Sequence, residues 1–443
     1  MSEQKLKHFV PTPPRLPATN EQNLLRRIQK RCFNSIGNSL LTISVLVLIY
    51  YVAKSFLDWA VFNAVWNAAT RRECMDISPD GACWAGVIDW FNGLIYGRYP
   101  DEEQWRVNGG VIMALLWLLP LMTRRIAYRN SILISWITLY PFLGAYMFLG
   151  GTIGQDVGII HMIFTSLAAG YFILLYLNWM LCAAGQPSLP ERLTPLTSKL
   201  FRRGQHMNGF LLVWAVLSIL CGGVLAQVHL EPVPVDRWGG LFLTLIIASF
   251  AITMSIPVGI LLALGRRSKL PVIHWLSMML IELVRAVPLI TVLFMAVTLL
   301  PSGAEPDKLS QVLFAVCLFA GAYMAENIRG GLQAIPDGQY EAAQTLGLGY
   351  WLTMGLIILP QAMRLMIPNI MTSFISMLKD TTLVSIIGLF DIMLMARNIS
   401  NDKNWIGLHT EPLALISILF FVMCYGMSQY SLNLEKRLKA HRS

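Results

Sequence analysis

The sequence predicts an all-α, polytopic helical membrane protein with about ten transmembrane helices. Three observations carry this expectation. Apolar residues fill 55% of the 443 positions and charged residues only 13%, more hydrophobicity than a soluble core of this length absorbs. The apolar residues come in continuous runs rather than alternating with polar ones, which selects spanning helices over a membrane β-barrel. Basic residues collect in short segments between those runs and at the chain ends, which is the distribution of a topology signal. The formal net charge of +9 therefore marks no nucleic-acid-binding face, and membrane lipid is the expected surrounding.

Taken in order, residues 1–37 read as a polar N-terminal tail. It holds the proline-rich stretch PTPPRLP and a basic flank of Arg26, Arg27, Lys30 and Arg31, with no cleavable signal peptide evident. A run of roughly 20 apolar residues crosses a bilayer. The first run is 38–57, and the loop 58–106 that follows carries several tryptophans and Asp101, Glu102 and Glu103. The second run, 107–122, is the shortest and precedes Arg124, Arg125 and Arg129. Runs at 130–150 and 158–183 come next, followed by Lys199, Arg202 and Arg203. The fifth run, 208–228, leads into QVHLEPVPVDR (Gln227 to Arg237), whose prolines and polar residues read as an external linker. The sixth run, 240–264, precedes Arg266, Arg267 and Lys269. Runs seven and eight occupy 273–300 and 311–330, with Pro288 expected to kink the seventh. A more polar insert, 331–360, separates these from runs at 361–388 and 412–433, and Lys436, Arg437, Lys439 and Arg442 close the chain. The basic clusters fall on one side of this alternation, which assigns both termini to the cytoplasm and the loop 58–106 to the outside.

The chain thus divides into the tail 1–37, a first group of about five spans over 38–228, and a second group over 229–443. No repeat relates the two halves, which gives little support to an inverted-repeat carrier. The seven cysteines show no CxxC and no spacing with histidine that would hold a metal, and the histidines are scattered. Cys182, Cys221, Cys317 and Cys424 lie in apolar runs and read as packed thiols. Cys74 and Cys83 bound the polar loop CMDISPDGAC; in an oxidising compartment they would form a disulfide, otherwise they remain two thiols.

The most informative stretch lies inside the insert, from Ile335 to Pro360. It fits two short helices joined near Gly347 to Gly349, with Glu341 at the head of the first, where the helix dipole favours an acid. Ala342 and Ala343 offer a face of small residues. Leu346, Leu348, Tyr350 and Trp351 follow, and together they suit burial in a groove on a soluble subunit. The alternative is an amphipathic loop lying on the membrane surface. Gly347 suits a sharp turn, and Pro360 fixes φ where the chain re-enters an apolar helix.

Glu341-Ala342-Ala343, three residues, Gly347, nine residues and then Ile357-x-Leu359-Pro360 resembles the signature of the membrane subunits of type I ABC importers. WGGLFLTLIIA, GILLALGRR, IELVRAVPLITVLFMA, YMAENIRGGLQAIPDGQYEAAQTLGLGYW and LKDTTLVSIIGLFD are similar to the polar amino-acid uptake branch of that family. The first half, with its Cys-bounded loop and YGRYP, resembles the N-terminal extension of the larger general L-amino-acid permease subunits. The resemblance implies a permease core in the C-terminal five helices and a bacterial inner-membrane location. It also implies a non-enzymatic role in which Glu341, Ala342, Ala343, Gly347 and Pro360 form the ATPase-coupling element. The implied partners are a homologous permease, two copies of an ATPase that holds ATP and Mg, a periplasmic binding protein and an amino-acid substrate. This chain itself has no GxxxxGK[ST] loop, so it does not bind ATP by that route and carries no cofactor of its own.

Ionisable residues inside apolar runs are functional candidates. Glu282 and Arg285, three apart on one face, either pair with each other or line the substrate pathway, where an α-carboxylate or α-ammonium group needs a counter-charge. Glu326 and Arg329 share the same spacing near the insert and read first as an ion pair bracing it, second as a substrate contact, with Tyr323 one turn earlier on the same side. Lys379 and Asp380 are adjacent and cannot share a helix face. They either gate the outer mouth of the pathway or contact the binding protein, or the helix simply ends there with both at the interface. An ion-driven carrier with Glu282 or Glu326 as the titrating group is the alternative function. An integral-membrane enzyme would need a convergent catalytic set, and none is visible.

Overall fold

The computed structural model describes residues 32–122, 129–152, 158–183, 205–299 and 307–440. The basic clusters at 26–31, 124–125 and 199–203, and most of the expected N-terminal tail, lie outside the described residues. The chain forms two compact units, Met1–Ala85 and Gly86–Ser443.

The first unit is built on α1 (Ile36–Leu57), which Ser35 caps by accepting the Asn38 amide at 3.2 Å, and none of whose residues is buried. An apolar helix with no covered side is what lipid contact requires. The chain then enters a π-helical turn, Asp58–Phe62, and α2 (Arg71–Ile77). A capping box starts α2: Thr70 Oγ1 accepts the Glu73 amide, and Glu73 Oε2 accepts the Ala69 amide at 2.7 Å. A Cys74–Cys83 disulfide closes the loop, and Trp84 stacks on Trp66 while its Nε1 donates to Ala60 O at 2.8 Å.

α3 (Trp84–Asp89) runs across the division between units. The second unit continues with α4 (Phe91–Tyr96), α5 (Gln104–Leu118), α6 (Arg129–Thr138), α7 (Tyr140–Leu149), α8 (Ile159–Ala183) and α9 (Gln205–Leu225). Then come α10 (Gly240–Arg266), α11 (Pro271–Ala286), α12 (Leu289–Leu299), α13 (Lys308–Gln333), α14 (Asp337–Thr345), α15 (Tyr350–Leu352), α16 (Leu359–Asp380), α17 (Ile392–Ile399) and α18 (Thr410–Ala440). The one sheet among the described residues is a two-residue antiparallel pair, β1 (Gly151–Thr152) with β2 (His229–Leu230).

Each of the ten expected runs coincides with helix. Among the described residues seven helices are long and apolar enough to cross a membrane: Ile36–Phe62, Ser131–Leu149, Ile159–Leu181, Gly240–Arg266, Lys308–Gln333, Tyr350–Ile387 and Thr410–Lys436. α5, at 15 residues, and the apolar stretch Leu211–Leu225 are shorter. The seventh run departs from expectation. α11 and α12 meet at 110°, a full break rather than a kink. Val287, forced out of the helical region by the following proline, is extended at φ −107, ψ 136, and Pro288 has no amide to continue the ladder.

The segment Gln227 to Arg237 also differs from a loose linker. Its residues 229–230 are paired to β1, and Leu230 and Val233 are buried. Tyr99, Val107 and Phe148 from the first half share one core with Val233, Trp238, Phe242 and Leu293 from the second. A separate core joins α10, α11, α13 and α16 through Ala263, Ile281, Met324, Ile328, Ala362 and Ile370. α10 and α13 pack most intimately: a Cβ on Gly259 would stand 2.7 Å from Met324, and one on Gly321 would stand 2.4 Å from Val258.

Candidate functional site

The insert becomes a helix, a closed elbow and a second helix. α14 starts at Asp337, so Asp337 holds the first turn and Glu341 stands one turn further in, exposed. This corrects the placement of Glu341 at the helix head. The elbow is a Schellman closure: the Leu348 amide donates to Ala343 O at 3.1 Å and the Gly347 amide to Gln344 O at 2.8 Å. Gly347 sits at φ +71, a left-handed geometry that costs a residue bearing a Cβ, and nothing lies within 4 Å of its Cβ direction.

The pair of alanines does not form one outward face. Ala343 is 1% exposed and packs inward, whereas Ala342 faces out, because adjacent helix positions point about 100° apart. Leu346 and Trp351 are each 74% exposed, Tyr350 is also exposed, and Leu348 is half-buried. A patch of this kind, beside an exposed acid, is a ready contact surface for another chain. The second helix is not a short separate piece. It runs from Tyr350 through a π-helical stretch, Thr353–Ile358, straight into α16, so Pro360 lies inside a continuous helical span. The wider π turn accommodates a proline that supplies no amide and crowds the preceding turn. Gln361 Nε2 donates to Gln339 Oε1 at 3.0 Å and ties α16 back to α14.

Above the elbow, five charged side chains from three helices converge. Glu326 of α13 accepts from Arg329 Nε at 2.9 and 3.0 Å and pairs with Arg329 Nη2. The same carboxylate meets Arg266 of α10 at 3.4 Å and Arg285 of α11 at 3.7 Å. Glu282 takes Arg266, at 3.0 Å, rather than its helix neighbour Arg285. The expected Glu282–Arg285 pair is thereby replaced by one that crosses between helices. Arg285 instead lies over the Tyr323 ring, 5.6 Å from its centroid, a cation–π placement. Three guanidinium groups against two carboxylates leave the cluster with a surplus positive charge. Asn327 Nδ2 donates to Ser373 Oγ at 2.8 Å and links α13 to α16 beside it.

Lys379 and Asp380 are the last residues of α16, with Lys379 exposed and Asp380 half-buried. About 30 Å of helix separates Asp380 from Pro360 and about 10 Å separates it from Ser373, and neither Lys379 nor Asp380 takes part in the ion pairs of the arginine cluster. Among the described residues no group of three or more His, Cys, Asp or Glu could hold a metal ion.

The roles of four residues escaped the sequence. Arg266 and Arg267 read only as a basic flank, yet Arg267 Nη1 donates to Tyr340 Oη of α14 at 2.9 Å. Arg106 is the last residue of the expected external loop 58–106, yet it is fully buried and donates to Met147 O at 2.8 Å and Glu231 O at 2.7 Å, with Glu103 at 3.2 Å. Asp391 is fully buried as the N-cap of α17: its Oδ1 accepts the Leu394 amide at 3.0 Å, and its Oδ2 has no partner among the described residues. Burial pushes its carboxyl up to about 7 against the pull of the capping amides and Arg397. An Asp followed by an amphipathic turn was the available signal for the cap, though not for its burial.

Residues 255–440 match the family described as binding-protein-dependent transport system inner membrane component. The inner membrane amino-acid ABC transporter permease protein YhdY of Escherichia coli (strain K12) is 36% identical over 435 residues, covering 97% of each chain. The glutamate/glutamine/aspartate/asparagine transport system permease protein BztC of Rhodobacter capsulatus is 35% identical over 441 residues, 96% of each chain. A shorter relative, the probable glutamine ABC transporter permease protein GlnP of Bacillus subtilis, is 34% identical over 217 residues, 97% of its own length and 48% of this chain.

Proposed function

This chain belongs to the amino-acid permeases of binding-protein-dependent ABC transport systems of the inner membrane; from that premise we propose that it imports polar or charged L-amino acids, paired with a homologous permease and driven through its α14 elbow by a separate ATPase. Family membership displaces the ion-driven carrier as the leading alternative. In this reading residues 229–443 are the permease core and 38–228 an extension, and the elbow and both termini face the cytoplasm. Two ATPase subunits hold ATP and Mg there, while a periplasmic binding protein delivers the substrate to the opposite face, where Lys379 and Asp380 stand.

The observation that carries the proposal is the exposed elbow itself. Glu341, Ala342, Leu346 and Trp351 all face out around a turn whose own backbone bonds are closed, so the loop presents a rigid, largely apolar patch that none of the described residues covers. Closure of the ATPases would move α14 as a body. Because α14, α10 and α13 are joined by side-chain contacts, the pathway would switch access on the side of the arginine cluster. A loaded binding protein biases the outward state only through its better affinity for that state.

The surplus positive charge around Glu326 and the Tyr323 ring suit a ligand carrying one carboxylate more than its ammonium neutralises. That favours the acidic members, glutamate and aspartate, among the four amino acids in the BztC name. Uptake in membrane vesicles tests the coupling reading. Glu341→Lys should abolish ATP-driven uptake while the chain still inserts at wild-type levels, and undiminished uptake by that variant would contradict the docking role.

A further inference from the structure

The family reading leaves open how a displacement of α14 reaches the charged side chains gathered between α10, α11 and α13. The C-terminal end of α10 offers a short path. Arg266 and Arg267 are consecutive, so their side chains leave the helix in different directions. Arg267 points to α14, donating to Tyr340 Oη at 2.9 Å with its guanidinium 5.5 Å from the same ring. Arg266 points the other way, meeting Glu282 of α11 at 3.0 Å and Glu326 of α13 at 3.4 Å. Tyr340 itself is half-buried and packs on the core shared by α10, α13 and α16.

The turn that carries this dipeptide is rigid. The Arg267 amide donates to Leu264 O and the Ser268 amide to Gly265 O, both at 3.0 Å, and Ser268 Oγ accepts the Leu270 amide at 3.1 Å. His274 Nδ1 donates to the Arg266 carbonyl at 2.5 Å, which fixes the first turn of α11 against the last of α10. A Cβ on Gly265 would stand 2.2 Å from Ser277 Oγ, so α10 and α11 touch backbone to side chain at the same level. With no slack in the turn, a shift of Tyr340 imposed on Arg267 carries Arg266 with it. Since Arg266 shares Glu326 with Arg285 and Arg329, such a shift changes which guanidinium groups the carboxylate keeps.

We propose that the Arg266–Arg267 dipeptide is the mechanical link between the α14 elbow and the Glu326 cluster, with Arg267 and Tyr340 as positioning residues that touch neither ATP nor substrate. This rests on the reading of α14 as the ATPase contact. It predicts a loss of coupling rather than of assembly.

The test uses the full complex in proteoliposomes, with amino acid taken up per ATP hydrolysed as the readout. Arg267→Gln should co-purify with the ATPase in normal yield and keep hydrolysis, while uptake per ATP falls about fivefold or more, within the range of allosteric couplings. Arg267→Lys, which keeps a charged donor for Tyr340, should recover most of the ratio. Tyr340→Phe, which removes one hydroxyl, should lower the ratio in the same direction. The Arg267→Gln/Tyr340→Phe double variant should do no worse than the more damaging single change. A wild-type ratio in Arg267→Gln, additive effects in the double variant, or loss of the ATPase from the Arg267→Gln complex would each overturn the link. Failure of the wild-type chain to hold any ATPase would instead remove the docking reading on which it rests.

Discussion

Arg106 is fully buried and donates to two main-chain carbonyls and to Glu103, whereas Arg266, Arg285 and Arg329 are a quarter to a third exposed and crowd around Glu326. The two regions use the same group for opposite ends. A carbonyl belongs to the backbone, so Arg106 cannot change partner without moving residues 147 or 231, and it locks the α7 end to the segment before α10. A carboxylate shared by three guanidinium groups has alternatives at similar distances, so its partners can exchange at small cost. The first arrangement suits a static frame and the second a part that moves.

The largest expected effect breaks the frame. Arg106→Met removes three charged hydrogen bonds at once, to the Met147 and Glu231 carbonyls and to Glu103, which at roughly 1.5 kcal/mol each should cost about 3–5 kcal/mol. The thermal midpoint of the detergent-solubilised chain reads this directly. An unchanged midpoint would show that residues 86–106 are not braced through this arginine.

Asp391 sharpens the same comparison through pH. Its carboxyl holds a proton up to about pH 7 in the folded chain, against roughly 4 in an unfolded one. The folded state therefore binds more protons between those values. Stability should fall as pH rises from about 4 to about 7 and level off above, the sense opposite to a salt-bridged carboxylate. Asp391→Asn keeps a good helix cap and should abolish that slope, gaining up to roughly 3–4 kcal/mol at pH 8. A slope that survives the substitution would assign the pH dependence to another group.

The smallest effect on stability belongs to the cluster. Arg285→Ala should change stability by less than about 1 kcal/mol, since Arg266 and Arg329 still hold Glu326 and the site is partly exposed. It should nevertheless lower uptake without dissociating the complex. Wild-type transport kinetics would remove Arg285 from the pathway.

Much of this was legible in the sequence. The apolar runs located the helices, and Glu341 to Pro360 identified the elbow, because helix length in lipid and a glycine turn both leave strong local signals. What stayed hidden depends on contacts between distant segments. The i, i+3 spacing of Glu282 and Arg285 suggested a pair, but Arg266 on the preceding helix reaches Glu282 first. Arg266 and Arg267 carried an ordinary topology signal, and nothing local distinguishes an arginine that faces headgroups from one that enters a core. Ala343 turned inward because α14 must bury something against the π-helical turn that follows it. The burial of Arg106 and Asp391 arises from the packing of residues 86–106 with 147–152, 229–240 and 390–408, which no periodicity encodes.

A separate ATPase gripping the α14 elbow is the proposed drive for transport. The most direct measurement is amino-acid accumulation in proteoliposomes holding the purified permease chains, with and without the ATPase and internal or external ATP. The permease chains alone should give no uphill accumulation, and accumulation should appear only when the ATPase is bound and ATP is supplied on the side of the elbow. Uphill transport by this chain in the absence of any ATPase would contradict it.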